Sequence, residues 1–257
     1  METRSTGRMS WDWIYGRNAI REALTSGAPV TRILVARSAH GLPIDQIVQL
    51  AREHDVEVEL VDRTVLDQRT GNHQGVIAEI RPARMLSLGD LLETLGTPTD
   101  MDRVLMLDSI QDPGNLGALI RTAAATGVRA IIIPEHRAAG VTPAVVKASA
   151  GAALRLPIVQ TPNLRQAIAT LKQIGFWVVG LDGDARDRYD RANLSGPLGI
   201  AVGAEGRGLG DLLAKECDML VRLPIEEAVE SLNASVAGSI LLYHLYREAA
   251  KRSAPGR

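Results

Sequence analysis

The apolar positions of this chain switch between two periods from Trp13 onward. Residues 19–24 and 44–53 carry helical spacing, while 32–36, 56–61 and 75–80 alternate or run apolar as strands do. Gly16-Arg17-Asn18 opens the first helix and Ser26-Gly27 closes it. This pattern predicts a small α/β domain over residues 13–80, preceded by a flexible arm, 1–12, with mixed charge and no period. Residues 81–100 read as a linker, because Arg81-Pro82-Ala83-Arg84 and Gly96-Thr97-Pro98-Thr99-Asp100 interrupt regular structure around a short helix at 88–95.

From Arg103 the alternation becomes regular. Apolar runs at 104–108, 130–134, 156–159, 176–181 and 199–203 are separated by helical spacing at 116–126, 143–151 and 164–174. A short strand at 223–225 and a long helix at 232–249 follow, the helix with Val236, Ile240 and Tyr243 on one face. Short apolar strands spaced by helices predict a second α/β domain, residues 101–252, built on a mostly parallel sheet covered on both faces.

Composition narrows the function classes. At 257 residues and 46% hydrophobic, the chain has material for two cores. A single cysteine, Cys217, excludes an intrachain disulfide and a thiolate-rich metal site, and the five histidines show no ligand spacing, so no metal is expected. Most of those histidines are expected to face solvent. Glu216 and Asp218 flank Cys217 and disfavour its thiolate, which predicts an inert thiol. No apolar run approaches the ~20 residues of a membrane helix, and the N-terminus has no signal core, so a cytoplasmic protein with no membrane partner is expected. A formal net charge of −1 and 3% aromatic residues leave nucleic-acid binding to local patches. One such patch is Arg17 and Arg21, at i, i+4 spacing on the first helix.

Three clusters carry possible chemistry, each at the end of an apolar strand. Asp112-Pro113-Gly114-Asn115 forces a turn, with Asn115 suited to cap a helix on which Arg121 is the long charged side chain. On the same helix Gly117 allows another backbone to approach. Gly203-Ala204-Glu205-Gly206-Arg207-Gly208-Leu209-Gly210 holds a glutamate among glycines, the composition of backbone that turns sharply or approaches a ligand. Its glycine order is not that of a dinucleotide fingerprint. Leu223-Pro224-Ile225 followed by Ser231-Leu232-Asn233-Ala234-Ser235 reads as a helix start, which caps a helix and also attracts anions.

Taken together and in order, these clusters resemble the three motifs of the SpoU (TrmH) RNA 2′-O-methyltransferases. Gly16-Arg17-Asn18-Ala19-Ile20-Arg21-Glu22-Ala23-Leu24 and His73-Gln74-Gly75-Val76 resemble the small substrate-binding domain of that family's RlmB-like branch, which methylates a guanosine ribose in 23S rRNA. The resemblance implies a SPOUT domain whose C-terminal segment threads a trefoil knot, S-adenosylmethionine bound in that knot, and a homodimer packed through helices that include the last one. Gly203, Leu223 and Leu232 carry over as cofactor contacts. Asn115, Arg121, Glu205, Ser231 and Asn233 carry over as the catalytic and positioning set.

In that set Arg121 would stabilise charge developing on the 2′-oxygen, since a guanidinium does not deprotonate readily enough to act as a base. Ser231, with helix N–H groups, would hold a neighbouring phosphate, while Asn115 and Glu205 would fix the arginine and the loop. Glu226-Glu227-Ala228 stands where the family has a glycine, so the backbone there needs negative φ or accepts strain. Methylation of tRNA, methylation of an rRNA adenosine, and a non-catalytic RNA-binding or ribosome-assembly role are the alternatives.

Overall fold

The computed structural model describes residues 12–25, 27–80, 85–136, 138–206, 208–226 and 228–253, so the arm up to residue 11 and the break at 81–84 lie outside the described residues. The chain divides into two units, residues 1–83 and 84–257. Among the described residues no helix is long and apolar enough to cross a membrane.

The first unit runs β1 (Asp12–Tyr15), α1 (Arg17–Thr25), β2 (Val30–Ala36), α2 (Leu42–Glu53), β3 (Glu57–Val61), α3 (Arg63–Asp67) and β4 (Val76–Ile80). Its sheet order is β1-β4-β2-β3, with β4 antiparallel to both neighbours and β2 parallel to β3. Alternation along the strands sends Ile33, Val35, Val76 and Ala78 toward α1 and α2, and Leu34, Ala36 and Ile77 toward Leu66 of α3. His73 departs from the solvent-facing expectation: it is 1% exposed. Its Nδ1 accepts the Gly75 N–H at 2.8 Å, which places the ring proton on Nε2, 2.8 Å from Asp67 Oδ1.

The second unit opens with β5 (Met85–Leu86) and α4 (Leu88–Leu95), so much of the stretch read as linker is built into this unit's sheet and core. Then come β6 (Arg103–Leu107), α5 (Pro113–Ala125), β7 (Ala130–Pro134), α6 (Pro143–Ala148), β8 (Ile158–Thr161), α7 (Leu164–Gln173), β9 (Trp177–Leu181), β10 (Asp187–Arg188), β11 (Leu198–Val202), α8 (Asp211–Ala214), β12 (Met219–Arg222) and α9 (Ala234–Ser253). The eight strands form one sheet, β10-β12-β9-β11-β6-β7-β8-β5, and every pairing is parallel. Both faces are covered, as the apolar runs require. Leu105 and Leu107 of β6 pack with α5, α6 and α9, while Val104 and Met106 pack with α4 and α7.

The last strand is β12 at 219–222, not the predicted 223–225, and its placement decides the topology. It sits between β9 and β10, with Val221 in register with both Leu181 and Asp187. The chain joining β9 to β10 therefore arches over the end of β12, and the segment leaving Arg222 has to thread past that arch before reaching α9. Beyond the arch, the Tyr189 ring meets His244 of α9 edge-on, with centroids 4.9 Å apart. Such threading is nearly absent among folds. It brings residues 223–233 back across the C-terminal edge of the sheet, among the loops that follow β6, β9 and β11.

Candidate active site

Strand order steps outward from β6 to β8 and then jumps to β9 on the other side of β11, which opens a crevice at the C-terminal edge of the sheet. The β6–α5 connection comes first. Asp112, not Asn115, caps α5: its Oδ1 accepts the Asn115 N–H at 2.7 Å, and Pro113 takes the first helical position, where no N–H is needed. Asn115 is thereby pushed one turn into the helix, and its amide is left free to reach outward. Gly117 fits as expected, because a Cβ there would stand 2.3 Å from Ala148 Cβ of α6.

The β11–α8 loop folds back on itself. The Gly208 N–H donates to Ala204 O at 3.0 Å, and a Cβ on Gly203 would fall 1.9 Å from Gly208 O. Gly203 is thus required by the loop's own backbone. Gly206 and Gly208 take φ of 74° and 62°, the left-handed conformation that glycine accepts without strain. This turn presents Glu205 at the rim of the crevice.

The third segment completes the cluster. Asn233 Oδ1 accepts the N–H groups of Ser235 at 2.9 Å and Val236 at 3.3 Å, so it caps α9. Its Nδ2 spends both hydrogens elsewhere, on Asn115 Oδ1 at 3.0 Å and Glu205 Oε2 at 3.1 Å. Asn115 Nδ2 also reaches Glu205 Oε2, at 3.4 Å. Residues at 115, 205 and 233 are drawn into one network. Ser235, part of the third cluster but outside the set carried over from the resemblance, belongs to it: nearly buried, its hydroxyl lies 3.1 Å from Asn115 Oδ1 and 2.6 Å from Asn233 Oδ1. Its position two residues past Asn233, on the first turn, was the available signal.

Glu205 also borders a pocket of about 290 Å³ enclosed by residues 181–184, 202–206, 208, 223, 225 and 230–232. Gly203, Leu223, Ser231 and Leu232 line it, as do the acidic side chains Asp182, Asp184 and Glu230. Among its described lining residues there is no cation. Ser231 makes no hydrogen bond to the described residues, and two of the helix N–H groups expected to assist it are already taken by Asn233. Glu226 is not among the residues with positive φ, and Glu227, at the centre of the stretch where a glycine was expected, lies outside the described residues.

Asn115 and Asn233 reach the pocket only through Glu205. Arg121 is the residue of the predicted set that neither lines the pocket nor joins that network among the described residues. It lies about 9 Å along α5 from Asn115 and on another side of the helix. It is exposed and forms no hydrogen bond or ion pair among the described residues. A larger groove, about 810 Å³, runs between α5 and α9 and is lined by Ala118, Thr122, Val236, Ile240 and Tyr243. Cys217 stands apart, in the layer beneath the other face of the sheet. Burial first, and Asp218 and Glu216 after it, push its thiol up to about 12.

An all-parallel sheet, an arch over its last strand and a loop-built pocket at its C-terminal edge define an α/β enzyme of the SPOUT methyltransferase class. Residues 102–243 match the SpoU rRNA Methylase family, and residues 13–86 match the RNA 2′-O ribose methyltransferase substrate-binding domain. The chain belongs to the SpoU family of RNA methyltransferases. It is 37% identical over 92% of its length, and 96% of the other's, to the Bacillus subtilis protein YacO, which is named as a TrmH family tRNA/rRNA methyltransferase. Among solved structures, it is similar to the AdoMet-bound rRNA methyltransferase of Sinorhizobium meliloti, with TM-score 0.70 and 26% identity over 93% of this chain and 87% of that one. An RNA 2′-O ribose methyltransferase matches with TM-score 0.71 and 27% identity over 97% of this chain and 93% of that one.

Proposed function

We propose that this protein transfers a methyl group from S-adenosylmethionine to the 2′-hydroxyl of a guanosine ribose in 23S rRNA, working as a homodimer. The observation that carries this reading is the junction of Asn115, Glu205 and Asn233 at the mouth of the loop pocket. The pocket suits the cofactor chemically: Leu181, Val202, Leu223 and Leu232 offer apolar cover for an adenine, and Asp182, Asp184, Glu205 and Glu230 complement sulfonium and ammonium charge. S-adenosylmethionine supplies there an electrophilic methyl group on a sulfonium.

The residues of the chain then have separate tasks. Asn233 and Asn115 hold the Glu205 carboxylate in place through their amide N–H groups. Ser231, exposed at the pocket rim, offers its hydroxyl to the phosphate beside the target ribose. Arg121 steadies the developing charge on the 2′-oxygen, and a phosphate or water accepts the proton. Since Arg121 lies outside its own pocket, a second copy has to deliver it.

A face for that second copy is present. Val236, Tyr243 and Tyr246 are 47%, 57% and 48% exposed along α9, and with Ile240 they form an apolar stripe beside α5. A two-fold pairing of this stripe would set each α5 against its mate.

Mapping 2′-O-methylation across rRNA from cells with and without the protein tests the target. Loss of one guanosine mark in 23S rRNA is the expected result. An unchanged 23S pattern, or loss of a tRNA mark instead, would reject this assignment.

A further inference from the structure

The first unit carries a cleft of its own. Strands β1, β2 and β3 run in one direction, so all three end at the same edge of the sheet, and α1 and α2 begin there. Helix N-termini carry partial positive charge and free N–H groups. α2 starts after Gly41, whose φ is 99°, and no side chain caps its first turn. Between these loops lies a cavity of about 290 Å³ lined by Arg17, Ser38, His40, Arg63, Gln74 and Gly75. Two guanidiniums, an imidazole and a hydroxyl border it, with no carboxylate among the described lining residues.

Arg17 is held in place there. Its Nε donates to Gln74 O at 3.0 Å and its backbone N–H to Gln74 Oε1 at 3.1 Å. Gln74 itself has a φ of 53°, costly for a residue with a side chain. The buried His73 fixes this turn by joining Asp67 to the Gly75 N–H. The line Asp67, His73, Gly75, Gln74, Arg17 is therefore a scaffold that aims one guanidinium, while its terminal N–H groups make no bond to the described residues. Arg63 borders the same cavity, 3.9 Å from Asp67 Oδ1. Arg21, one turn along α1, does not line it.

We propose that this cleft grips a backbone phosphate of an unpaired stretch of the substrate RNA, between Arg17 and Arg63. The inference rests on the reading that the protein acts on RNA. Forked guanidinium donors match phosphate oxygens. The cavity has room for a phosphate with its sugar, which an unstacked strand presents more readily than a helix does.

The test is binding of a fluorescent uridine 12-mer to the full-length protein across a salt series. Arg63→Gln, a change at an exposed side chain, should weaken binding at least about five-fold and reduce the log–log salt slope by about 0.7, the loss of one single-strand phosphate contact. Arg63→Lys should restore the slope. Arg17→Lys, which keeps the charge but loses the bond to Gln74 O, should weaken binding with the slope unchanged. Arg52→Gln, at the far end of α2, should behave as the unmodified protein. S-adenosylmethionine affinity should be the same in all four variants.

A wild-type slope and affinity for Arg63→Gln would overturn the proposal. Displacement of the 12-mer by sub-millimolar inorganic phosphate would assign the cleft to a free anion and overturn it too. Either result, alongside methyl transfer to RNA by the unmodified protein, leaves the proposed function standing; absence of that transfer removes the function itself.

Discussion

Asn233 Nδ2 lies 3.0 Å from Asn115 Oδ1, joining two residues 118 positions apart. The same amide group reaches Glu205 Oε2 at 3.1 Å, while Asn233 Oδ1 caps α9. One side chain thus couples the start of the last helix to the rim of the pocket. Asn233→Asp keeps the capping oxygen but sets a second carboxylate against Glu205. The cap survives, so the stability lost comes from the repulsion at the rim rather than from the helix end, while single-turnover methyl transfer should fall about 100-fold or more. Asn233→Ala loses both, at about 1–2 kcal/mol for the cap alone. Urea denaturation beside rapid-quench transfer separates the two effects, and transfer by Asn233→Asp within ten-fold of the unmodified protein would contradict the role of this amide at the rim.

Gly203 cannot become alanine without opening the loop. A Cβ would sit 1.9 Å from a backbone oxygen, which side-chain adjustment cannot relieve. Gly203→Ala should therefore reduce S-adenosylmethionine affinity at least about ten-fold, more than 1.4 kcal/mol of binding. Calorimetry reads this directly. Gly206→Ala, where the added Cβ meets nothing, should cost only the strain of a positive φ, about 1 kcal/mol of stability.

How much of this was legible in the sequence depends on what each signal measures. From 103 onward, apolar runs of about strand length are enough to give a parallel sheet, since strands buried on both faces must be continuously hydrophobic. β10 has two residues and β12 begins Met-Leu after an acidic residue, so neither rises above its surroundings. The arch over β12 depends on which strand pairs with which, and periodicity does not encode pairing. In the site, Asp112 and Asn115 are both good caps. Only the Pro at position 113 tips the choice toward Asp112, and that choice frees Asn115 for the network. Arg121 was placed by motif order, which says nothing about the side of the helix it occupies.

Cys217 gives a chemical check on the core beneath the sheet. Its thiol donates to Leu213 O at 3.4 Å, and burial raises it to about 12. The native protein at pH 8 should react with a disulfide reagent at least about 100-fold more slowly than the urea-unfolded chain. The raised value favours the folded state most below the ordinary thiol range. That advantage is lost as pH climbs from about 9 to about 12, because the unfolded chain gives up its proton first. Rapid labelling of the native protein would mean that the Cys217 layer opens.

Arg103 anchors the opposite edge of the sheet from the pocket. Its Nη1 donates to the carbonyls of Asp100, Asp102 and Gly196 at 2.9, 2.8 and 2.8 Å, and burial lowers its pKa to about 10. Arg103→Ala would leave these carbonyls without that donor, a loss of about 3 kcal/mol. Cofactor affinity per folded molecule should be unchanged, since Arg103 is not among the described lining residues of the pocket. A stability change under 1 kcal/mol, read from the urea midpoint, would refute the anchor.

The proposed mechanism requires that the pocket of one subunit take its guanidinium from the other. Mixing Arg121→Ala chains with Glu205→Gln chains tests this most directly. Each variant alone should be inactive in tritiated methyl transfer to 23S rRNA. Co-refolded in equal amounts, half the dimers are mixed and each mixed dimer has one complete site, so activity should return to about a quarter of the unmodified level. If the mixture stays as inactive as its components, Arg121 does not serve the partner's pocket and the account of catalysis is wrong.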